Sequence, residues 1–343
     1  MGKIQVGVIN WDAALPKDTY MGYFVTRALS PSTYRDRVPF YTDIIDDEHV
    51  SFHARTDEEF TCELQYAANA GIDYFAYVWY NDEPFNAKQF ITEENEVIVG
   101  GAWEIAFARK MHARNPLRNK VKMCAVLCGA DLLDTTLSQL AVEMQQPYYQ
   151  KMENQPLVYV YGGYRPETIL RLRAFCREKG TVDPYVVFMN HTKPPREGDD
   201  YSAAQGVSDY SCVVNDVPSF DKVTARMLHL NEERLAYNMP CVPLFTTGWN
   251  PMPRMDHEVP WIKYRSKQYA PAPTEAEMLG SAKQLAAWYT ANRASMTGHI
   301  LTFAWNEFEE GGYLCPTRGQ NGQPNTELLD AFAKCVAYWK TTL

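Results

Sequence analysis

The chain has 343 residues with 46% apolar side chains, enough for a large core, and no low-complexity tract that would signal disorder. Its net charge of −9 argues against a nucleic-acid partner gripped through phosphates. No run is long and apolar enough to span a membrane. Met1, Gly2 and Lys3 lead straight into a strand, which reads as an intracellular protein or one whose exporting segment was removed.

In chain order, Ile4 to Asp12 is a short apolar strand that ends in Asn10, Trp11 and Asp12. A long stretch with Pro16, Pro31 and Pro39 follows and reads as an irregular excursion over the rim. Thr56 is a good N-cap with Glu59 at the capping-box position, so a helix runs from there until Gly71 stops it. The second strand, 72–82, delivers Tyr77, Trp79, Tyr80 and Asn81. A helix near 103–113 precedes the third strand, 121–129. A helix over 133–149 precedes the fourth, 156–163. Pro166 to Lys179 is helical, with Pro at its start and Gly180 at its end. Strand five, 185–191, ends in Asn190 and His191. A weak sixth, 206–211, carries Asp209 and Tyr210. A helix over 220–237 leads to the seventh, 241–250, which Pro243 weakens and which ends in Trp249 and Asn250, with Arg254 beyond. Thr274 caps a helix to Arg293. The eighth strand starts at Gly298 and ends in Trp305, Asn306, Glu307, Phe308, Glu309 and Glu310. A last helix covers 325–341.

Eight strands alternating with helices predict a parallel sheet, and eight such units closing on themselves predict a (β/α)8 TIM barrel. The chain is expected to form a single domain over 1–343 with a long excursion after the first strand. The competing architecture, an open doubly wound sheet, normally has a glycine-rich turn after its first strand, and Asn10-Trp11-Asp12-Ala13 is not one. In a barrel all eight strand ends face one mouth. That mouth collects amides, tyrosines, tryptophans and carboxylates, with no phosphate loop and no metal-ligand spacing, which suits an uncharged polyhydroxylated ligand. No cofactor is expected. The oligomeric state stays open.

Glycoside hydrolysis needs two carboxyls flanking the bond, one protonated and one ionised. Glu307 and Glu310 are the chosen pair, because their cluster follows an apolar strand and sits beside Trp305 and Asn306. Glu309 competes with them, and Asp12 and Asp209 are third choices. Asn10, Trp11, Tyr77, Trp79, Tyr80, Asn190, His191, Tyr210, Trp249, Asn250, Arg254, Trp305 and Asn306 are the expected substrate contacts. Asp256-His257-Glu258, between Pro253 and Pro260, reads as an exposed loop rather than a metal site. All eight cysteines are expected to be reduced: Cys124, Cys128, Cys212 and Cys241 lie in apolar runs, and Cys124-x-x-x-Cys128 is not a zinc pattern.

Three stretches carry a resemblance. Trp305-Asn306-Glu307-Phe308-Glu309-Glu310-Gly311, Ala67 to Tyr77, and Gly248-Trp249-Asn250-Pro251-Met252-Pro253-Arg254 together resemble the glycoside hydrolase family 99-like group. That group includes the WbsX-like proteins of polysaccharide loci and, more distantly, the family 71 and 99 hydrolases. The resemblance implies a TIM barrel with metal-free, retaining endo-α-mannosidase or mannanase chemistry. It further implies that Glu307 acts as base on the sugar's 2-hydroxyl, giving a 1,2-anhydro intermediate, and that Glu310 acts as general acid, then as base towards water. The chain departs from that pattern at Val8-Ile9-Asn10-Trp11, where a Tyr-rich opening is usual. It also has Asn250 where Asp is common, and the extra acid Glu309. The alternatives are a glycosyltransferase of a polysaccharide locus, for which neither a phosphate loop nor an Asp-x-Asp motif is present, and a non-catalytic glycan-binding barrel.

Overall fold

Gly7 and Tyr74 set the inner wall of the barrel: a Cβ on Gly7 would lie 2.1 Å from Cζ of Tyr74, so only glycine leaves room for that ring. The computed structural model describes residues 3–128, 131–162, 165–189, 200–319 and 321–343. Eight parallel strands form the wall: β1 (Gln5–Asn10), β2 (Tyr74–Trp79), β3 (Lys122–Cys128), β4 (Gln155–Tyr161), β5 (Tyr185–Met189), β6 (Gly206–Ser208), β7 (Leu244–Thr246) and β8 (His299–Phe303). Their lateral order is β6-β5-β4-β3-β2-β1-β8-β7. The remaining seam closes through the lead-in to β7. The Val207 N–H donates to Pro240 O and the Val242 N–H to Val207 O, each at 2.9 Å. The next N–H on that side, Leu244, donates instead to Asn231 Oδ1 at 2.8 Å, so the ladder to β6 ends there and β7 runs from Leu244 along β8.

The helices are α1 (Tyr20–Leu29), α2 (Asp57–Asn69), α3 (Ala106–Arg114), α4 (Asp134–Glu143), α5 (Pro166–Lys179), α6 (Phe220–Leu235), α7 (Met252–Asp256), α8 (Glu275–Ala291) and α9 (Glu327–Thr342). Local chemistry sets their ends. Thr56 with Glu59 and Thr274 with Glu277 form complete capping boxes on α2 and α8. Gly180 closes α5 at φ +71°. Trp339 of α9 packs on Phe245 of β7 at 4.9 Å, and its indole N–H donates to Ala282 O of α8.

Two expectations need correcting, and one hairpin had no counterpart among them. The excursion after β1 is not wholly irregular: it holds α1, capped by Thr19, whose hydroxyl accepts from the Gly22 N–H at 3.1 Å. Nine of the ten α1 residues are buried. A hairpin of Lys88–Ile91 with Val97–Gly100 follows β2. Asp256, read as part of a loop, ends α7 and accepts from the Tyr34 hydroxyl. Among the described residues no helix is long and apolar enough to cross a membrane, and none of the eight cysteines is in a disulfide.

Candidate active site

Glu307 and Glu310 sit where β8 runs out. Asn306–Glu307 pairs antiparallel with Gly312–Tyr313, and a 3₁₀ turn, Phe308–Glu310, links the two short strands. Gly311 leaves the turn at φ +74°, a conformation that favours glycine. One 3₁₀ turn takes three residues, so positions 307 and 310 share a side. Both line a cleft of about 960 Å3 at the C-terminal end of the barrel. Phe308 and Glu309 are buried, and neither lines it.

One guanidinium ties the acids together. Arg254, just after α7 begins, donates from Nη1 to Glu310 Oε1, from Nη2 to Glu307 Oε2 at 3.2 Å, and from Nη2 to Glu309 Oε1 at 2.9 Å. Its far side lies over the Trp11 ring at 4.9 Å. Each cleft-lining carboxyl also accepts from a phenol: Glu307 Oε1 from Tyr210 at 2.7 Å, and Glu310 Oε1 from Tyr264 at 3.0 Å. Three buried carboxyls face one guanidinium, so their charge is not fully balanced. Burial pushes the Glu307 carboxyl well above the usual range, with Glu310 and Glu309 adding repulsion against the pull of Arg254. Burial likewise raises Glu310, partly offset by Arg254 and Tyr264. The two carboxyls are coupled, so their titration belongs to the pair rather than to either residue. On Arg254 burial works against the charge, and the three glutamates overcome it and hold the guanidinium charged.

The cleft walls are aromatic. Trp11, Tyr80, Tyr161, Tyr210 and Trp249 come from strand ends; Tyr20, Phe85, Trp103, Trp261 and Tyr264 come from loops and α1. Tyr161 stacks on Tyr210 at 4.3 Å, and Trp261 meets Trp11 edge-on at 5.9 Å. Such flat faces can cover the C–H faces of a sugar ring while amides, phenols and carboxyls meet its hydroxyls.

Of the expected contacts, Trp11, Tyr80, Tyr210, Trp249 and Arg254 line the cleft with Glu307 and Glu310. Others do not. Tyr74, Val78 and Tyr80 alternate inward along β2, so Tyr77 and Trp79 point to the helices: Tyr77 bonds His112 at 3.0 Å, and Trp79 stacks under Arg109 at 4.2 Å. Trp305 is fully buried against Phe75, and its indole N–H donates to Glu63 at 3.1 Å. Asn306 accepts from the Trp11 N–H at 2.8 Å and donates to Asn10 Oδ1 at 3.1 Å, so these two amides join β1 to the turn that carries Glu307 and Glu310. Asn250 serves backbone too: its N–H donates to Glu310 O at 2.6 Å, and its side chain accepts from the Met252 N–H. Asn190 and His191 lie outside the described residues. Asp12 pairs with Arg55, and Asp209 with Arg234 at 2.7 Å; both pairs are buried and away from the cleft. Burial raises Asp209 to about 8 against the pull of Arg234.

Tyr161, Trp103, Trp261 and Tyr264 were missed as contacts. The last two sit in the Pro260–Pro271 segment, whose density of aromatic and basic residues is the signal that could have marked it. Because Trp305 is fully enclosed, Trp305→Ala is expected to cost about 3–5 kcal/mol of stability, read as a lower denaturant midpoint.

Comparison with protein-family models finds no match, and comparison with curated protein sequences finds none. The fold is similar to solved structures of a GH99 endo-α-mannosidase from Bacteroides thetaiotaomicron. The complex with bis-tris-propane aligns over 100% of this chain and 99% of that one, with a TM-score of 0.54 and 13% identity. A second structure of that enzyme aligns over 87% of this chain and 86% of that one, with a TM-score of 0.53 and 14% identity. At such identities the likeness is one of fold: this chain is a (β/α)8 barrel.

Proposed function

We propose that this barrel, as one catalytic unit, is a glycoside hydrolase that cleaves an α-linked glycan with retention, in the manner of an endo-α-mannosidase. The observation that carries the proposal is the pair of buried carboxyls, Glu307 and Glu310, held by one guanidinium on the floor of an aromatic cleft. The fold likeness to a GH99 endo-α-mannosidase supports the same reading.

In this reading the family resemblance places the proton on Glu310, although burial raises Glu307 the more, and Glu307, ionised, takes the proton of the 2-hydroxyl. The freed oxygen attacks C1, and the C1–O bond to the leaving sugar breaks. Glu310 gives its proton to that departing oxygen. A 1,2-anhydro sugar results. Glu310, now ionised, takes a proton from water as the water oxygen attacks C1 and opens the three-membered ring, and Glu307 returns its proton to O2. Arg254 keeps the net charge of the floor low throughout. The phenols of Tyr210 and Tyr264 hold the two carboxyls in place.

Activity then requires the singly protonated pair, so kcat/KM should follow a bell. The acid limb rises as the first proton leaves the pair, and the alkaline limb falls as the second leaves. Both limbs should lie above the ordinary glutamate range, because both carboxyls are raised. Glu309 repels both members, so Glu309→Gln should lower their pKa values and move the alkaline limb towards lower pH. A pH–rate profile on any cleaved glycan checks both points, and an alkaline limb that stays put or moves upward would count against the coupling. The proposal itself is tested by incubating the protein with α-mannans and other polysaccharides and assaying new reducing ends.

A further inference from the structure

Lys88, Lys263 and Arg265 line the cleft wall and are exposed. Among the described residues none of the three has an acidic partner within 4 Å. Nearby cations outside the cleft do: Lys267 pairs with Asp216 at 3.1 Å, and Arg27 with Glu93 at 3.3 Å. Among the described residues that line the cleft above Glu307 and Glu310, the one acid is Asp131, which faces Arg165 at 3.7 Å. A chain of net charge −9 thus presents, among its described residues, a positive wall above a floor of Glu307, Glu310 and Arg254. Lys263 and Arg265 flank Tyr264 in the chain, and the Tyr264 hydroxyl donates to Glu310 at 3.0 Å, so this wall segment rises from the floor.

We propose that the cleft binds an anionic glycan, with the negative substituent on a sugar that flanks the scissile bond. The inference rests on the hydrolase reading and names its substrate class. A carboxylate, sulfate or phosphate over the floor would face Glu307 and Glu310 and be repelled. One sugar away, it meets Arg265 and Lys263, where the guanidinium can grip two oxygens and the ammonium adds a point charge. Positive groups on the walls of a concave, low-dielectric site also concentrate anionic ligand there. The three substituents share the chemistry of a delocalised oxyanion, and the test separates them.

The test is binding of the purified protein to α-glycans of one backbone in four forms, neutral, uronate-bearing, sulfated and phosphorylated, at 50 and 500 mM NaCl. At least one charged form should bind about tenfold tighter than the neutral one at low salt and lose most of that margin at high salt. A double substitution, Lys263→Gln with Arg265→Gln, should remove the margin and leave the thermal midpoint unchanged. Lys334→Gln, on α9 and paired with Glu275, should leave the margin intact. Equal binding of all four forms, or a margin that survives the double substitution, overturns the proposal. Turnover separates the two readings. Cleavage of neutral glycans with no charge preference sinks this inference and leaves the hydrolase standing. Tight, salt-sensitive binding without cleavage of any form leaves this site standing and sinks the hydrolase.

Discussion

Glu310→Gln is expected to lower kcat/KM for glycan hydrolysis by about 10²–10⁴-fold, the usual worth of a positioned general acid. The amide keeps the size of the carboxyl and can still accept from Arg254 and Tyr264, so the fold and the cleft should persist. It cannot carry the proton that the leaving oxygen needs. A substrate whose leaving group needs no proton, such as an aryl glycoside with an acidic phenol, should therefore recover much of the lost rate in the first step. A merely structural role for Glu310 would slow both substrates alike. Measuring kcat/KM on a natural glycan and on an activated aryl glycoside gives the distinction, and an unchanged rate on the natural glycan would remove Glu310 from the chemistry.

Arg254→Met is expected to have the largest effect on stability. It strips three buried carboxyls of the one guanidinium they share. Breaking a buried ion pair from one side costs about 3–5 kcal/mol, because the charge left behind is neither solvated nor paired. The cost should depend on pH in a definite direction. Without Arg254 the folded-state pKa values of Glu307 and Glu310 rise further above those of the unfolded chain. Below the unfolded values Glu307 and Glu310 are protonated in both states, and their penalty is absent. As pH climbs through the ordinary carboxylate range, the unfolded state ionises first and gains, so the variant loses stability towards neutral pH. Urea midpoints at pH 4 and pH 7 should therefore show a deficit that is small in acid and large at neutrality. A deficit of equal size at both would mean that packing on Trp11 and Trp261, not charge, is what Arg254 supplies.

The order of elements was legible because each junction has its own chemistry: Thr56 with Glu59, Pro166 with Gly180, and Thr274 with Glu277 mark helix ends that local bonding alone decides. The facing of strand residues was not. Both faces of a barrel strand are buried, so the alternation that would separate Tyr77 and Trp79 from Val78 and Tyr80 is lost in continuous apolar runs. Trp305 carries the same ambiguity. An indole beside an acid cluster at a strand end reads as a ligand platform, while in the structure it packs outward on Phe75. The acid pair was easier to find, because three residues of one turn bring both carboxyls to one side without any long-range knowledge. Tyr264 and Trp261 are the opposite case. They reach the cleft only through the path of a loop with no period to reveal it.

The central claim is that Glu307 and Glu310 together cleave an α-glycosidic bond with retention. An NMR time course of the anomeric protons, taken as the protein acts on a panel of α-mannans and complex polysaccharides, tests it most directly. The account predicts that new reducing ends appear first as the α-anomer and equilibrate to β only by mutarotation, and that Glu310→Gln abolishes the signal. First appearance of the β-anomer would contradict retention. The absence of any new reducing end across the panel, with the glycans still bound, would contradict hydrolysis itself.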